Sequence, residues 1–137
     1  MIAGMWSFQT ESERFIKAYN NYLSKAPAKI FVFPQIPELS LSANKSQRFK
    51  EMGLESRVEV KLDYRVANET LKRLTEKYRS STYLELETDN FFDSAPYYRG
   101  VLIYTDTHHL NQIGAVSYAE LIKREMRERV LTVVDQK

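Results

Sequence analysis

Apolar positions in this chain fall into short runs and helical stripes, separated by polar breaks. The opening MIAGMW is a short apolar run that reads as the end of a buried strand. Thr10 followed by Glu13 fits a capping box, and Phe15, Tyr19, Tyr22 and Leu23 then share one helical face. The pattern predicts a helix over about 11–24, with Pro27 beyond its end. Ile30 to Phe33 is continuously apolar and ends at Pro34, as in a strand covered on both faces of a parallel sheet. The rigid Pro34-Gln35-Ile36-Pro37 must be extended or turned, and it stands where parallel-sheet enzymes place active-site loops.

Residues 40–62 are polar with mixed charge and read as a solvated excursion, with a short alternating strand at Val58 to Leu62. Ala67, Leu71, Leu74 and Tyr78 recur at helical spacing and predict an amphipathic helix that needs a partner surface. TYLELE, Thr82 to Glu87, alternates like a strand near a sheet edge. Residues 88–100 form an aromatic-rich loop, and Val101 to Tyr104 is another apolar run. A last helix is predicted after Asn111, lined by Ala115, Tyr118, Ala119, Ile122 and Met126. The resulting order of strand, helix, strand, helix, strand points to an α/β fold.

Composition narrows the function classes. With 137 residues, 43% of them hydrophobic, the chain is long and apolar enough for one domain with a real core. The formal net charge of +2 is a weak bias, and bases are mixed with acids, so no nucleic-acid partner is expected. Without cysteine there is no disulfide, thiolate nucleophile or cysteine metal site. No apolar stretch is long enough to span a bilayer, and the first residues do not form a signal peptide. Membrane association and an extracytoplasmic address would therefore come from sequence upstream.

The chemistry is concentrated in YTDTHHLNQIGA. Asp106 and His109 lie three residues apart, after an apolar run and before a helix. Acyl-transfer triads need a base to take a hydroxyl proton and a carboxylate to hold its imidazole tautomer. An Asp-x-x-His turn can supply both, with Asn111 capping the following helix. A plain polar turn before a helix explains the same residues equally well. Asp106, His108 and His109 also offer three metal ligands, but adjacent histidines usually diverge, so no metal and no cofactor is expected. There is no Gly-x-Ser-x-Gly elbow, Walker loop, dinucleotide fingerprint or zincin motif.

Asp106-Thr107-His108-His109-Leu110, followed by Asn111-Gln112-Ile113-Gly114-Ala115, resembles the last block of the SGNH (GDSL-like) esterases. The likeness is closest to the SGNH domain at the C-terminal end of bacterial acyltransferase-3 membrane proteins. Asn111 stands where serine is commoner in that block. The apolar strand leading into Pro34-Gln35-Ile36-Pro37 is also similar, as is Ile2 to Ser7, which resembles the neighbourhood of the family's third block. The resemblance implies a flavodoxin-like three-layer fold with a mainly parallel sheet, of which residues 1–137 form the C-terminal portion. The family's nucleophile lies in a Gly-Asp-Ser motif, and none occurs here, so the half bearing it is expected upstream and this chain alone is expected to be inactive.

By the same likeness, Asp106 orients and His109 acts as general base. Trp6, Gln35, His108 and Asn111 are weaker candidates for substrate contacts. The parent protein is expected to use an acyl donor and a carbohydrate acceptor, transferring acetyl or similar groups to envelope polysaccharide outside the cytoplasmic membrane. A non-catalytic glycan-binding or accessory α/β module is the other reading. A half-domain would leave a strand edge or apolar face uncovered, which predicts self-association. Sedimentation should then show concentration-dependent oligomers, whereas a strict monomer would count against an uncovered edge.

Overall fold

The computed structural model describes residues 10–54, 57–86 and 90–134. The strand expected over MIAGMW lies outside them. The elements are α1 (Glu13–Ser24), β1 (Ile30–Val32), β2 (Glu38–Leu39), α2 (Ala43–Glu51), β3 (Val60–Lys61), α3 (Asp63–Thr75), β4 (Ser81–Tyr83), β5 (Tyr97–Tyr98), β6 (Val101–Leu102) and α4 (Gln112–Val134). They divide into two compact units, one of Met1–Ile36 and Leu62–Leu86, the other of Pro37–Lys61 and Glu87–Lys137.

In the first unit, β1 and β4 pair in parallel, with Ile30 opposite Ser81 and Val32 opposite Tyr83. Parallel neighbours require a crossover connection, and α3 lies on it. Tyr19 and Leu23 of α1, Ile30 and Val32 of β1, and Leu71 and Leu74 of α3 form one buried cluster. Each such side chain contributes roughly 1.5–3 kcal/mol when fully buried. The Tyr19 hydroxyl shares a 2.8 Å hydrogen bond with Thr75 Oγ1, which satisfies a polar group inside that cluster. Burial pushes the Tyr19 phenol above its ordinary pKa, partly offset by that bond.

Two helical details differ from expectation. The N-cap of α1 is Ser12, whose Oγ accepts from Phe15 N–H, so the Thr10–Glu13 capping box does not form. Tyr22 is largely exposed, and Ile16 packs against the cluster beside Phe15. The expected helix of 67–78 is α3, with Tyr78 half-buried just past its end.

Among the described residues, the second unit has only antiparallel pairs, β2 with β3 and β5 with β6. Strand pairing among the described residues is therefore mixed rather than mainly parallel. The polar excursion contains a real helix, α2, which buries only Ala43. Most of its residues are strong helix formers, and a Gln47–Glu51 bond spans one turn. Hydrophobic periodicity had nothing to report there. Across the β2–β3 pair, Lys61 Nζ donates to buried Glu38 at 2.6 Å, so the carboxylate is not left unpaired.

The aromatic loop is organised rather than irregular. Arg99 and Gly100 both adopt positive φ between β5 and β6, as a two-residue type I′ hairpin turn requires. The Ala95–Pro96 peptide is cis. Phe91 is fully buried, with ring contacts to Phe92, Tyr98 and Tyr118. On α4 the inward row is Gly114, Tyr118, Ile122 and Met126, while Ala115 and Ala119 are exposed. A glycine opens this row because the helix comes very close to the preceding segment. A Cβ at Gly114 would sit 2.2 Å from the Ile103 carbonyl oxygen.

Gly114→Ala should therefore destabilise the chain by about 1–3 kcal/mol or more, because backbone must shift to admit the methyl group. Gly53→Ala meets open space but a φ of +72°, and should cost about 1 kcal/mol from conformation alone. Urea unfolding of both variants checks the order, and a smaller loss at Gly114 would contradict the close approach.

Candidate active site

The candidate residues sit on a tight loop of the second unit. Ile103 and Tyr104 are buried at its entry and anchor the chain. Tyr104 and Leu110 form an isolated antiparallel bridge, and Thr105 N–H donates to the His109 carbonyl at 2.8 Å. These contacts close the loop at its base.

Inside the loop the Asp106 carboxylate organises the turn. Its Oδ1 accepts from the backbone N–H groups of His108 and His109, each at 2.8 Å. Short polar side chains do this well because they reach backbone two or three residues on. Its Oδ2 lies 2.8 Å from His109 Nδ1. An ionised carboxylate can only accept, so Nδ1 carries the proton in this bond. The Nε2 of neutral His109 then keeps its lone pair and can take a proton from another group.

Desolvation pushes the Asp106 pKa up, but it is outweighed by other effects. The His108 backbone N–H, the His109 side chain, the His109 backbone N–H and the charge of His108 all favour the carboxylate. The result is a carboxyl held at about 2. The side chain of His109 is 65% exposed and that of Asp106 41%, so the open face of the pair is the imidazole.

Asn111 fixes the loop to the final helix. Its Oδ1 accepts from Gly114 N–H at 2.8 Å, the capping interaction expected from sequence. Its Nδ2 donates to the Leu102 carbonyl at 2.7 Å, and its backbone N–H donates to Ile103. Asn111 is thus engaged in holding the loop. His108 is half-buried, with Nδ1 2.9 Å from Thr107 Oγ1 and its ring centroid 4.2 Å from that of His109.

Sequence reasoning did not find the partners that hold the loop from the other side. Leu39 N–H donates to the Thr107 carbonyl at 2.7 Å, and Asn44 Nδ2 donates to the Thr105 carbonyl at 2.7 Å. They lie more than sixty positions upstream, and nothing in their local pattern signals the contact.

Asp106, His108, His109 and Asn111 are thus brought together. Gln35 belongs to the first unit, where it is buried and its backbone N–H and carbonyl are clasped by the Asn68 amide at 2.8 and 2.9 Å. Trp6 lies outside the described residues. Asp106, His108 and His109 each offer a donor atom, all within 4.8 Å of one another.

A loop that pairs a carboxylate with an imidazole offers a base and the group that orients it, two of the parts an acyl-transfer triad uses. The chain matches the SGNH domain family, in which the domain is fused to AT3 domains, over residues 2–124, and it belongs to that family. The assignment supports a general acyl- or ester-modifying role and links the domain to AT3-type acyltransferase partners. No curated protein and no solved structure matches the chain. No helix among the described residues is long and apolar enough to cross a membrane.

The depressed pKa of Asp106 has a defined consequence for stability. The carboxyl binds its proton less readily in the folded chain, at about 2, than in the unfolded one, at about 3.9. Its contribution is therefore complete above about pH 4 and is lost as pH falls through 2. The stability gap between wild type and Asp106→Asn should be widest above pH 4 and narrow toward pH 2. Urea unfolding across that range reads the gap, and a constant gap would remove the carboxylate from the account.

Proposed function

We propose that this domain supplies the acid–base half of a serine-histidine-aspartate O-acyltransferase, with O-acetyl transfer or ester hydrolysis on envelope polysaccharide as its chemistry. The 2.8 Å contact between Asp106 Oδ2 and His109 Nδ1, which leaves Nε2 as an open base, carries the reading. Membership of the family fused to AT3 domains supports it. In this reading Asp106 holds the tautomer and stabilises the imidazolium. His109 takes the proton of a serine hydroxyl, and the serine oxygen attacks the acyl carbonyl. His109 then returns the proton to the leaving group. A sugar hydroxyl or water accepts the acyl group in the second half-reaction, with His109 again moving the proton.

The serine comes from a segment of the parent protein other than this chain's site loop, since no Gly-Asp-Ser motif occurs in the sequence. The same segment would complete a three-layer, mainly parallel sheet of which β1 and β4 are part. The domain would work outside the cytoplasmic membrane, held there through its AT3 partner, with an acyl donor and a carbohydrate acceptor as its ligands.

The test is intact-mass analysis after fluorophosphonate treatment, on this chain and on the parent protein that includes its AT3 domain. The reading expects an adduct on the parent protein alone, lost with His109→Ala. Acyl transfer by the parent protein should fall by on the order of 10⁴-fold for Asp106→Asn and by at least that much for His109→Ala. An adduct on this chain alone would place an activated serine within it. No adduct on either, together with saturable glycan binding, would make the domain a non-catalytic accessory module.

A further inference from the structure

We propose that Asp106, His108 and His109 form a binding site for a borderline-soft divalent cation, zinc above all, and that such a cation holds the dyad in an inactive form. The inference rests on the dyad reading only for its effect on activity; the site itself stands on geometry. Neighbouring histidines ordinarily send their rings apart, yet here the two ring centroids are 4.2 Å apart with the planes tilted by 51°. Both rings lie beside the same carboxylate. His109 Nδ1 is 2.8 Å from Asp106 Oδ2, and His108 Nδ1 is 3.8 Å from Asp106 Oδ1.

The 2.8 Å separation brings both donors within reach of one ion. Two bonds of about 2.1 Å across it would meet at about 84°, so the donors part by roughly half an ångström to reach the tetrahedral angle that zinc favours. His108 Nδ1 is close enough to become the third ligand once the Thr107 hydroxyl, at 2.9 Å, turns away. Donor atoms from all three residues already lie within 4.8 Å. The side chains are 41%, 35% and 65% exposed, so water can complete the shell and the ion can enter directly from solvent.

Donor type selects the ion. The donor set is one carboxylate and two imidazole nitrogens, which favours zinc, copper or nickel over magnesium or calcium. Binding replaces the hydrogen of the Asp106–His109 bond: His109 changes tautomer, its ring proton passing through water from Nδ1 to Nε2, and the freed Nδ1 lone pair bonds the metal. Nδ1 can then no longer donate to the carboxylate. The arrangement that directs Nε2 toward a substrate proton is lost while the ion stays.

Calorimetric titration of the full, tag-free chain with zinc tests the site, alongside nitrogen NMR of the histidine rings. One equivalent should bind, with the His108 and His109 Nδ1 resonances moving together. Magnesium at the same concentration should do nothing. His108→Gln, which leaves the Asp106–His109 bond in place, should weaken binding by at least about tenfold, as even an outer-sphere partner costs that much. Asp106→Asn should do the same. Absence of saturable zinc binding, or binding that both variants leave unchanged, would overturn the site. Neither result bears on the nucleophile, because fluorophosphonate labelling of the parent protein reads that independently.

Discussion

The site depends on one carboxylate doing two jobs with its two oxygens. Asp106 Oδ1 accepts two backbone N–H groups at 2.8 Å and so builds the turn, while Oδ2 holds the imidazole at 2.8 Å. Ordering a histidine side chain costs conformational entropy, and a preformed turn meets much of that cost before any substrate arrives. Bonds to an ionised acceptor are also roughly twice as strong as neutral ones. The same charge that shapes the loop therefore fixes the tautomer of His109, and the low pKa of Asp106 reflects both contacts.

The loop in turn hangs on a frame within its own unit. Tyr104 is fully buried, its hydroxyl donates to the Pro37 carbonyl at 2.9 Å, and it bridges to Leu110 across the loop. Asn111 joins the loop to α4, and Gly114 lets that helix approach Ile103 more closely than any side chain would allow. Leu39 and Asn44 grip the Thr107 and Thr105 carbonyls on either side of Asp106. Every backbone group held in this way limits the directions in which Asp106 can drift. Displacements of the order of an ångström are costly to catalysis, so these contacts matter although none touches the imidazole.

Much of this was legible in the sequence, and the rest was hidden for identifiable reasons. The stripes at Tyr19, Leu23, Ala67, Leu71 and Leu74 announced α1 and α3 because those helices bury one face. The Asp106–His109 pairing was readable because both partners lie within one turn of chain. Helix α2 was not, since it buries only Ala43 and is held by propensity and local bonds rather than an apolar stripe. The β5–β6 hairpin was masked by its aromatics and by Arg99 at a positive φ, where asparagine or aspartate is the usual signal. On α4, Tyr118, Ile122 and Met126 were read correctly, but Ala115 and Ala119 are exposed, and Gly114 was missed because it contributes fit rather than hydrophobicity. Leu39 and Asn44 could not be found by any local rule, because their contact with the loop exists only once the chain is folded.

The exposure of His109 sets what else an acyl-transfer site here requires. With the imidazole 65% exposed, water competes for Nε2 and screens the charge that develops on the ring. Preorganised dipoles stabilise a tetrahedral intermediate strongly only where water is excluded. In the proposed mechanism, a nucleophile-bearing segment would therefore have to do more than present a hydroxyl. It would have to cover the open face of His109 and bring oxyanion donors with it. The Asp106–His109 bond needs no such help, because both partners and their scaffold lie within the second unit. The orientation of the His109 imidazole is thus set locally, and in the proposed mechanism its catalytic strength would depend on a surface that covers it. That division of labour explains how an acid–base pair can be fully formed on an otherwise open loop.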